Sequence, residues 1–316
     1  MTVLLKLNQK NNPMAFKNVL LIFLFLSVAY LNISAQEGST GIQGLRCAYC
    51  GKIISGEFII FENKKYHESC CENYVIPKCA ICDKPLRGTY NIDTYGNKFH
   101  KEHSSELAKC EICSRLICQQ LTGGGKKYND GRNICNVCFR LAVFEQYKFK
   151  QLLSSVSSRL ASFGIYLDMK KVSISGVDKI FLMNKFKGSG DLGQGYCDSQ
   201  TKTQYENNKL INTSTFHMIY VLNGVPEIVV ASTIAHELMH AWIVENAKEN
   251  HSEEIIEGSC NYVSYLYLKS INDPSRNDQI KNLEKNPDPV YGDGFKLVRA
   301  KFEGRPVQEF LRFLKK

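Results

Sequence analysis

Long hydrophobic runs are missing from this 316-residue sequence. The longest apolar stretch, "VLLIFLFLSVAYL" at residues 19–31, has 13 residues. A membrane-spanning helix needs about 20. Preceded by Lys17 and followed by the small residues Ser34 and Ala35, the run has the proportions of a signal-peptide core with cleavage near Ala35. The expectation is an exported protein, periplasmic or secreted, with residues 1–35 as the signal, 36–45 as a linker and no stable membrane anchor after cleavage. A dense basic stripe is also missing. Loss of residues 1–35 removes three lysines and no acids, taking the net charge from +9 to +6, so nucleic acid is not an expected partner. Cysteine is scarce in the C-terminal half. Eleven of the 13 cysteines lie between Cys47 and Cys138, and only Cys197 and Cys260 lie beyond. With 44% hydrophobic and 22% charged residues, that half has the composition of an ordinary globular domain.

The cysteine-rich region repeats itself. "RCAYCGKIISGEFIIFENKKYHESC", "KCAICDKPLRGTYNIDTYGNKFHKEH" and "KCEICSRLICQQLTGGGKKYNDGRNICNVC" place their first cysteines at 47, 79 and 110, a period of 32 and then 31 residues. In each unit a Cys-x-x-Cys pair aims two sulfurs at one point. A hairpin of 16 to 21 residues returns with two more ligands, completing a tetrahedron with no open position. The expected sets are Cys47, Cys50, His67 and Cys70; Cys79, Cys82, His100 and His103; and Cys110, Cys113, Cys135 and Cys138. Segments this short cannot bury enough apolar surface alone, so the metal supplies folding energy. A disulfide framework is the alternative in an exported protein, but disulfides have no use for histidines at ligand positions. Cys71 and Cys118 fit no tetrad and stand as free thiols or as a mutual disulfide. Units one and two together resemble a LIM domain, although eight residues separate Cys70 from Cys79 where a standard LIM has two. Unit three looks like a further LIM-like half. Residues 46–140 are thus three tandem LIM-like zinc modules, suited to a protein partner.

Beyond them, Leu141, Phe144, Phe149, Leu152, Val156 and Leu160 fall at roughly helical spacing and predict a helix ending near Gly164. "GIYLDMKKVSISGV" and "KIFLMNKF" read as strands, as does "TSTFHMIYVL" at 213–222. A helix is expected from about Pro226 to Glu245, and another from about Glu253 to Leu268. The fold class is α+β, a small mixed sheet beside a helical lobe.

The first of those two helices carries His236-Glu237-Leu238-Met239-His240. Histidines four apart share a helix face and can converge on one ion, with Glu237 placed to take a proton from water there. An amphipathic helix with a satisfied histidine pair is the plain alternative. The metzincin extension requires histidine at 246, which is Asn246. The following helix offers Glu253, Glu254 and Glu257. Glu257 is followed four residues later by Asn261, and the arrangement resembles the glutamate-zincin pattern Glu-x-x-x-Asp. That resemblance implies Glu257 as third zinc ligand, with Glu254 as the fallback, and Asn261 as the residue orienting a ligand histidine. Two histidines and one glutamate leave the fourth position for water, the arrangement of a hydrolytic site.

Four stretches, "GYCDSQT" at 195, "IYVLNGVPEIVVASTIAHELMHAW" at 219, "EEIIEGSC" at 253 and "DPVYGDGF" at 288, together with the zinc modules, resemble the plant LIM-domain, ubiquitin-activated zinc peptidases that restrict organ growth. The resemblance covers most of residues 46–310. It implies a glutamate-zincin metallopeptidase domain at 141–316, acting on protein or peptide substrates with one catalytic and three structural zinc ions. The acidic ubiquitin-interacting helices that precede the LIM region in those proteins have no counterpart here. The alternative is a LIM-type interaction protein whose peptidase-like half is an inactive scaffold.

Weaker candidates complete the reading. The Tyr291 hydroxyl is placed to support an oxyanion, with a packed loop tyrosine as the plainer role. His217 is expected to be a strand residue, and its strand to pair with substrate backbone. His251 is a solvated residue or a substrate contact. Trp242, the single tryptophan, is expected in the core. Cys197 and Cys260 are a disulfide or two small buried residues.

Overall fold

The structure, a computed structural model, describes residues 44–186, 193–207, 209–248 and 251–316. The signal and most of the linker expected at residues 1–45 lie outside these. The chain divides into two compact units, with the boundary between Val137 and Cys138.

The first unit is built three times from one plan. Its hairpins are β1 (Ile59–Phe61) with β2 (Lys64–Tyr66), β3 (Tyr90–Ile92) with β4 (Lys98–His100), and β5 (Gly125–Lys127) with β6 (Asn133–Cys135), all antiparallel. Short helical turns follow or flank them: α1 (Glu68–Cys70), α2 (His103–Glu106), α3 (Gln119–Thr122) and α4 (Asn136–Phe139), the last lying across the unit boundary. The Cys-x-x-Cys turns match hydrogen bond for hydrogen bond. The amides of Gly51, Asp83 and Ser114 donate to the carbonyls of Cys47, Cys79 and Cys110, at 2.9, 2.9 and 2.8 Å. All three donors have positive φ, +73°, +58° and +60°, so the turn demands a left-handed residue just after the second cysteine. A small polar residue or glycine supplies it each time.

The three modules differ in how they pack. Module one has its own apolar cluster of Ile54, Ile59, Phe61, Tyr66, Cys71 and Ile76. The eight residues before Cys79 contribute to it, because the π-helical turn Cys71–Val75 buries Cys71 completely. Leu86 and Phe99 of module two share a cluster with Leu116 of module three. The Arg115 guanidinium also lies 3.3 Å from the centre of the Tyr95 ring. The continuous apolar core therefore joins modules two and three rather than one and two. The Arg87–Glu72 ion pair links the first two.

In the second unit, β7 (Ala142–Val143) leads into α5 (Gln146–Ala161), which buries Phe149, Leu152, Leu153, Val156 and Leu160. Leu141 and Phe144, expected on that helix, precede it and are exposed. β8 (Val172–Val177) follows. The stretch "KIFLMNKF", expected as a strand, is instead mostly helix α6 (Lys179–Lys185). The Asp178 side chain accepts the Phe181 amide at 2.8 Å and caps it. This N-cap turns the chain out of the sheet and overrides the β-type composition. β9 (Gly195–Glu206) and β10 (Lys209–Leu222) form a long hairpin. The sheet order is β8-β10-β9, with β10 parallel to β8 and antiparallel to β9. Over His217–Val221 both edges of β10 are paired, so that strand cannot receive a substrate backbone. The edge strands are β8 and β9.

A bridge from β11 (Val225–Pro226) back to β7 introduces α7 (Glu227–Asn246). This helix is buried nearly all round, Trp242 included. α8 (Glu253–Ser270) packs beside it, followed by α9 (Arg276–Glu284), α10 (Gly294–Phe302) and α11 (Val307–Leu314). Among the described residues no helix is long and apolar enough to cross a membrane.

Candidate metal centres and active site

All three expected tetrads of the first region assemble, their ligand atoms lying within 4.8 Å of one another in each set. Tetrahedral zinc with Zn–S of about 2.3 Å and Zn–N of about 2.0–2.1 Å separates sulfur from nitrogen by about 3.5 Å and sulfur from sulfur by about 3.8 Å. The structure has Cys50 Sγ and Cys70 Sγ at 3.4 and 3.8 Å from His67 Nδ1. Cys82 Sγ lies 3.4 Å from His100 Nδ1, and Cys113 Sγ lies 3.6 Å from Cys135 Sγ. Both histidines present Nδ1 to the site, because Nε2–H donates to a carbonyl, Ile53 for His67 and Pro85 for His100. His103 Nδ1 is paired with Glu106, while its Nε2 is buried with no hydrogen-bond partner. Such an orphan is explained by a cation in the tetrad. Burial pushes the Cys79 thiol up, but backbone amides of Cys82, His100 and Ile81 more than offset it and bring it down to about 6. That favours the thiolate a metal needs. Cys71, Cys118, Cys197 and Cys260 form no disulfide.

The second constellation lies between α7 and α8. His236 Nε2 is 3.1 Å from His240 Nε2 and 3.1 Å from Glu257 Oε2, and His240 Nε2 is 3.4 Å from the same oxygen. Three ligands of a tetrahedral ion at about 2.05 Å stand about 3.3 Å apart, so the triangle has the dimensions of a metal-binding face. Glu254, the fallback ligand, is exposed and hydrogen-bonded to Ser252, which lowers its pKa. Burial opposes ionisation of Glu257, yet the His240 and His236 imidazoles beside it hold its carboxyl well below the usual range.

Asn261 orients the first histidine. Its Nδ2 donates to the Tyr291 carbonyl at 2.9 Å, which leaves Oδ1 to accept from His236 Nδ1 at 3.0 Å. The proton therefore sits on Nδ1, and the Nε2 lone pair faces Glu257 and His240. Tyr291 belongs to the π-helical turn Pro289–Asp293, capped by Asp288, whose carboxylate accepts the amides of Val290 and Tyr291 at 2.8 and 2.7 Å. The Tyr291 ring stacks at 6.4 Å from that of His236. Tyr291 thus reaches the site through its ring and its backbone carbonyl.

Glu237 is buried. Burial raises its carboxyl to about 7, with His236 pulling down and Glu257 pushing up. Gly195, at the start of β9, lies directly over it: a Cβ there would sit 2.6 Å from Glu237 Oε1 and 2.5 Å from Thr233 Cγ2. Nothing in the stretch "GYCDSQT" signals this role for the glycine, because the contact is with a helix far along the chain. Two more glycines stand at such close approaches. A Cβ on Gly258 would meet the Gly294 carbonyl at 2.3 Å, and one on Gly294 would meet the Glu254 carbonyl at 2.3 Å. They let α8 and α10 touch backbone to backbone next to Glu257.

The remaining candidates sit elsewhere. His217 is buried and bridges Ser199 Oγ, 2.8 Å from its Nδ1, to Glu245, 3.2 Å from its Nε2, pinning β9 and β10 to the end of α7. His251 is not simply solvated: its Nε2 donates to the Leu314 carbonyl at 3.0 Å.

The fold and these clusters define an α+β protein with three Cys/His metal-binding modules and a separate two-histidine, one-glutamate site. In sequence it resembles the plant DA1 family. The DA1-like family model, described as Protein DA1, matches residues 191–282, a span that holds Gly195, His236, Glu237, His240, Glu257 and Asn261. Protein DA1-related 2 of Arabidopsis thaliana is 26% identical over 73% of this chain and 50% of its own length. LIM domain-containing protein HDR3 of Oryza sativa subsp. japonica is 27% identical over 72% of this chain and 52% of its own. LIM domain-containing protein B of Dictyostelium discoideum is 36% identical over 29% of this chain and 15% of its own. The chain spans about half the length of the first two relatives. No solved structure matches it.

Proposed function

We propose that this protein is a zinc-dependent peptidase that hydrolyses peptide bonds in protein substrates, with an N-terminal LIM-like region that binds a protein partner or regulates access. The observation that carries the reading is the triangle of His236 Nε2, His240 Nε2 and Glu257 Oε2, at 3.1 to 3.4 Å, with a buried carboxylic acid next to it in sequence and space. His236, His240 and Glu257 would hold one exchangeable zinc, and the three tetrads one structural zinc each. The exchangeable ion, when bound, supplies Lewis acidity to a substrate carbonyl and to water.

The chain's own residues supply the rest. Glu237 takes the proton of the attacking water and returns it to the departing amine. A carboxyl brought to about 7 by burial can do both near neutral pH. Asn261 holds the His236 ring so that its lone pair stays directed. The edge of β9 that is unpaired among the described residues, starting at Gly195 over Glu237, is where a substrate strand would add, so the scissile bond would pass over the carboxylate. The LIM-containing names of the relatives support a protein-binding role for residues 46–140.

The test is cleavage of a diverse peptide library by wild type and Glu237→Gln, alongside metal content. Four zinc ions per chain are expected in both proteins, with a rate loss of roughly 10²- to 10⁴-fold in the variant. Equal cleavage by both would remove Glu237 from the chemistry. A wild type with three zinc ions and no cleavage would make the second unit an inactive scaffold.

A further inference from the structure

Cys260 takes no part in the site as drawn above, yet its thiol points at it. The residue is fully buried on α8, three positions after Glu257 and one before Asn261. Its sulfur makes no hydrogen bond to any described residue. The ligand atoms of His236, His240 and Cys260 lie within 4.8 Å of one another. The same two histidines contact Glu257 at 3.1 and 3.4 Å. Two ligand sets therefore share one histidine pair, one completed by a hard carboxylate and the other by a soft sulfur.

Nitrogen and sulfur bound to one tetrahedral ion, at about 2.05 and 2.3 Å, stand about 3.5 Å apart. The histidine–cysteine set, whose ligand atoms lie within 4.8 Å of one another, reaches that spacing with a shift of at most about 1.3 Å. The two third donors differ in chemistry: carboxylate suits hard and borderline ions, thiolate suits soft ones.

We propose that Cys260 is an alternative third ligand at this site, replacing Glu257 when the ion is soft and thiophilic, cadmium(II) being the representative. The inference rests on the histidine pair holding an exchangeable ion. On exchange the thiol proton passes to solvent, a sulfur–metal bond forms and the bond to Glu257 breaks, with no change of oxidation state. The ion moves away from Glu257 toward the buried Cys260 sulfur, so a soft cation occupies the site in an unproductive form.

The experiment uses full-length protein with its structural zinc retained and the exchangeable ion removed by mild chelation. Cadmium(II) alone is then titrated into wild type, Cys260→Ser and Glu257→Gln. The readouts are thiolate-to-cadmium ultraviolet absorption and cadmium-113 NMR. Expected is one cadmium-113 resonance of a one-sulfur site, distinct from those of cadmium in the many-sulfur tetrads, present in wild type and Glu257→Gln and absent in Cys260→Ser. The preference for cadmium over zinc should fall about tenfold or more in Cys260→Ser. Should that variant misfold, the cadmium-113 shift of wild type still separates a one-sulfur site from one of nitrogen and oxygen only. Cadmium bound by wild type without a sulfur signature would overturn the ligand exchange and leave the histidine site standing. A wild type that binds no exchangeable ion would overturn both.

Discussion

Gly195 and Glu237 are in such close register that the glycine can carry no side chain: a Cβ would lie 2.6 Å from the carboxylate oxygen. The contact joins the first residue of an edge strand to the buried acid of a helix about forty residues later. It sets both the position of the acid and the height of the strand above it. Replacing Gly195 with alanine should push one or the other aside. A displacement near 1 Å costs on the order of 10²-fold in rate, while overpacking costs about 1–3 kcal/mol. Steady-state kinetics against thermal unfolding would show a rate loss out of proportion to the stability loss.

The hydrogen-bond chain from the Tyr291 carbonyl through Asn261 to His236 makes a second prediction. Asn261→Ala removes the acceptor that holds His236 and leaves that carbonyl without its amide partner. Affinity for the exchangeable zinc should fall about 10- to 100-fold, measured by competition with a chromophoric chelator. The three structural ions should be retained.

The approach of α8 and α10 through Gly258 and Gly294 sets a third. The obstacle to a methyl group at Gly258 is backbone, 2.3 Å away, so no side-chain rotation relieves it. Gly258→Ala should destabilise the second unit by roughly 3 kcal/mol. Urea denaturation followed by the fluorescence of the single tryptophan, Trp242, would read this directly.

The pH dependence of stability follows from Glu303. Hydrogen bonds from Arg299 and from the Tyr265 hydroxyl lower its pKa from the ordinary 4.5. A depressed carboxyl pKa contributes stability that is present above the unfolded value and is lost as pH falls through the folded value. The thermal midpoint of wild type should therefore exceed that of Glu303→Gln at pH 7. The gap should close below about pH 4. A constant gap from pH 7 to pH 3 would contradict the pairing.

Metal removal gives the fifth. The first unit holds only small apolar clusters, so its folding depends on bound ions. A strong chelator should abolish its ordered circular dichroism while the larger apolar core of the second unit keeps its helices. Limited proteolysis would then cut first within residues 46–137.

How much of this was legible in advance depended on the range of the physics involved. The three tetrads could be read from spacing because a Cys-x-x-Cys turn and a returning hairpin are local geometry. His236 and His240 were legible because four residues is about one helical turn, and Glu257 and Asn261 for the same reason on the next helix. "KIFLMNKF" misled because Ile, Phe and Leu fit a strand by composition, while one carboxylate, Asp178, captured the Phe181 amide and started a helix. His217 looked like an idle strand residue until the sheet register placed it between Ser199 and Glu245.

The sequence by itself determined how the cysteines and histidines group along the chain and which helices carry His236, His240 and Glu257, since each rests on contacts a few residues apart. The tertiary structure alone decided that module two shares its core with module three, that β9 rather than β10 is an edge strand, and that Gly195, Gly258 and Gly294 are places where backbones or a buried acid leave no room for a methyl group. Those are distances between elements far apart in the chain, and residue spacing carries no record of them.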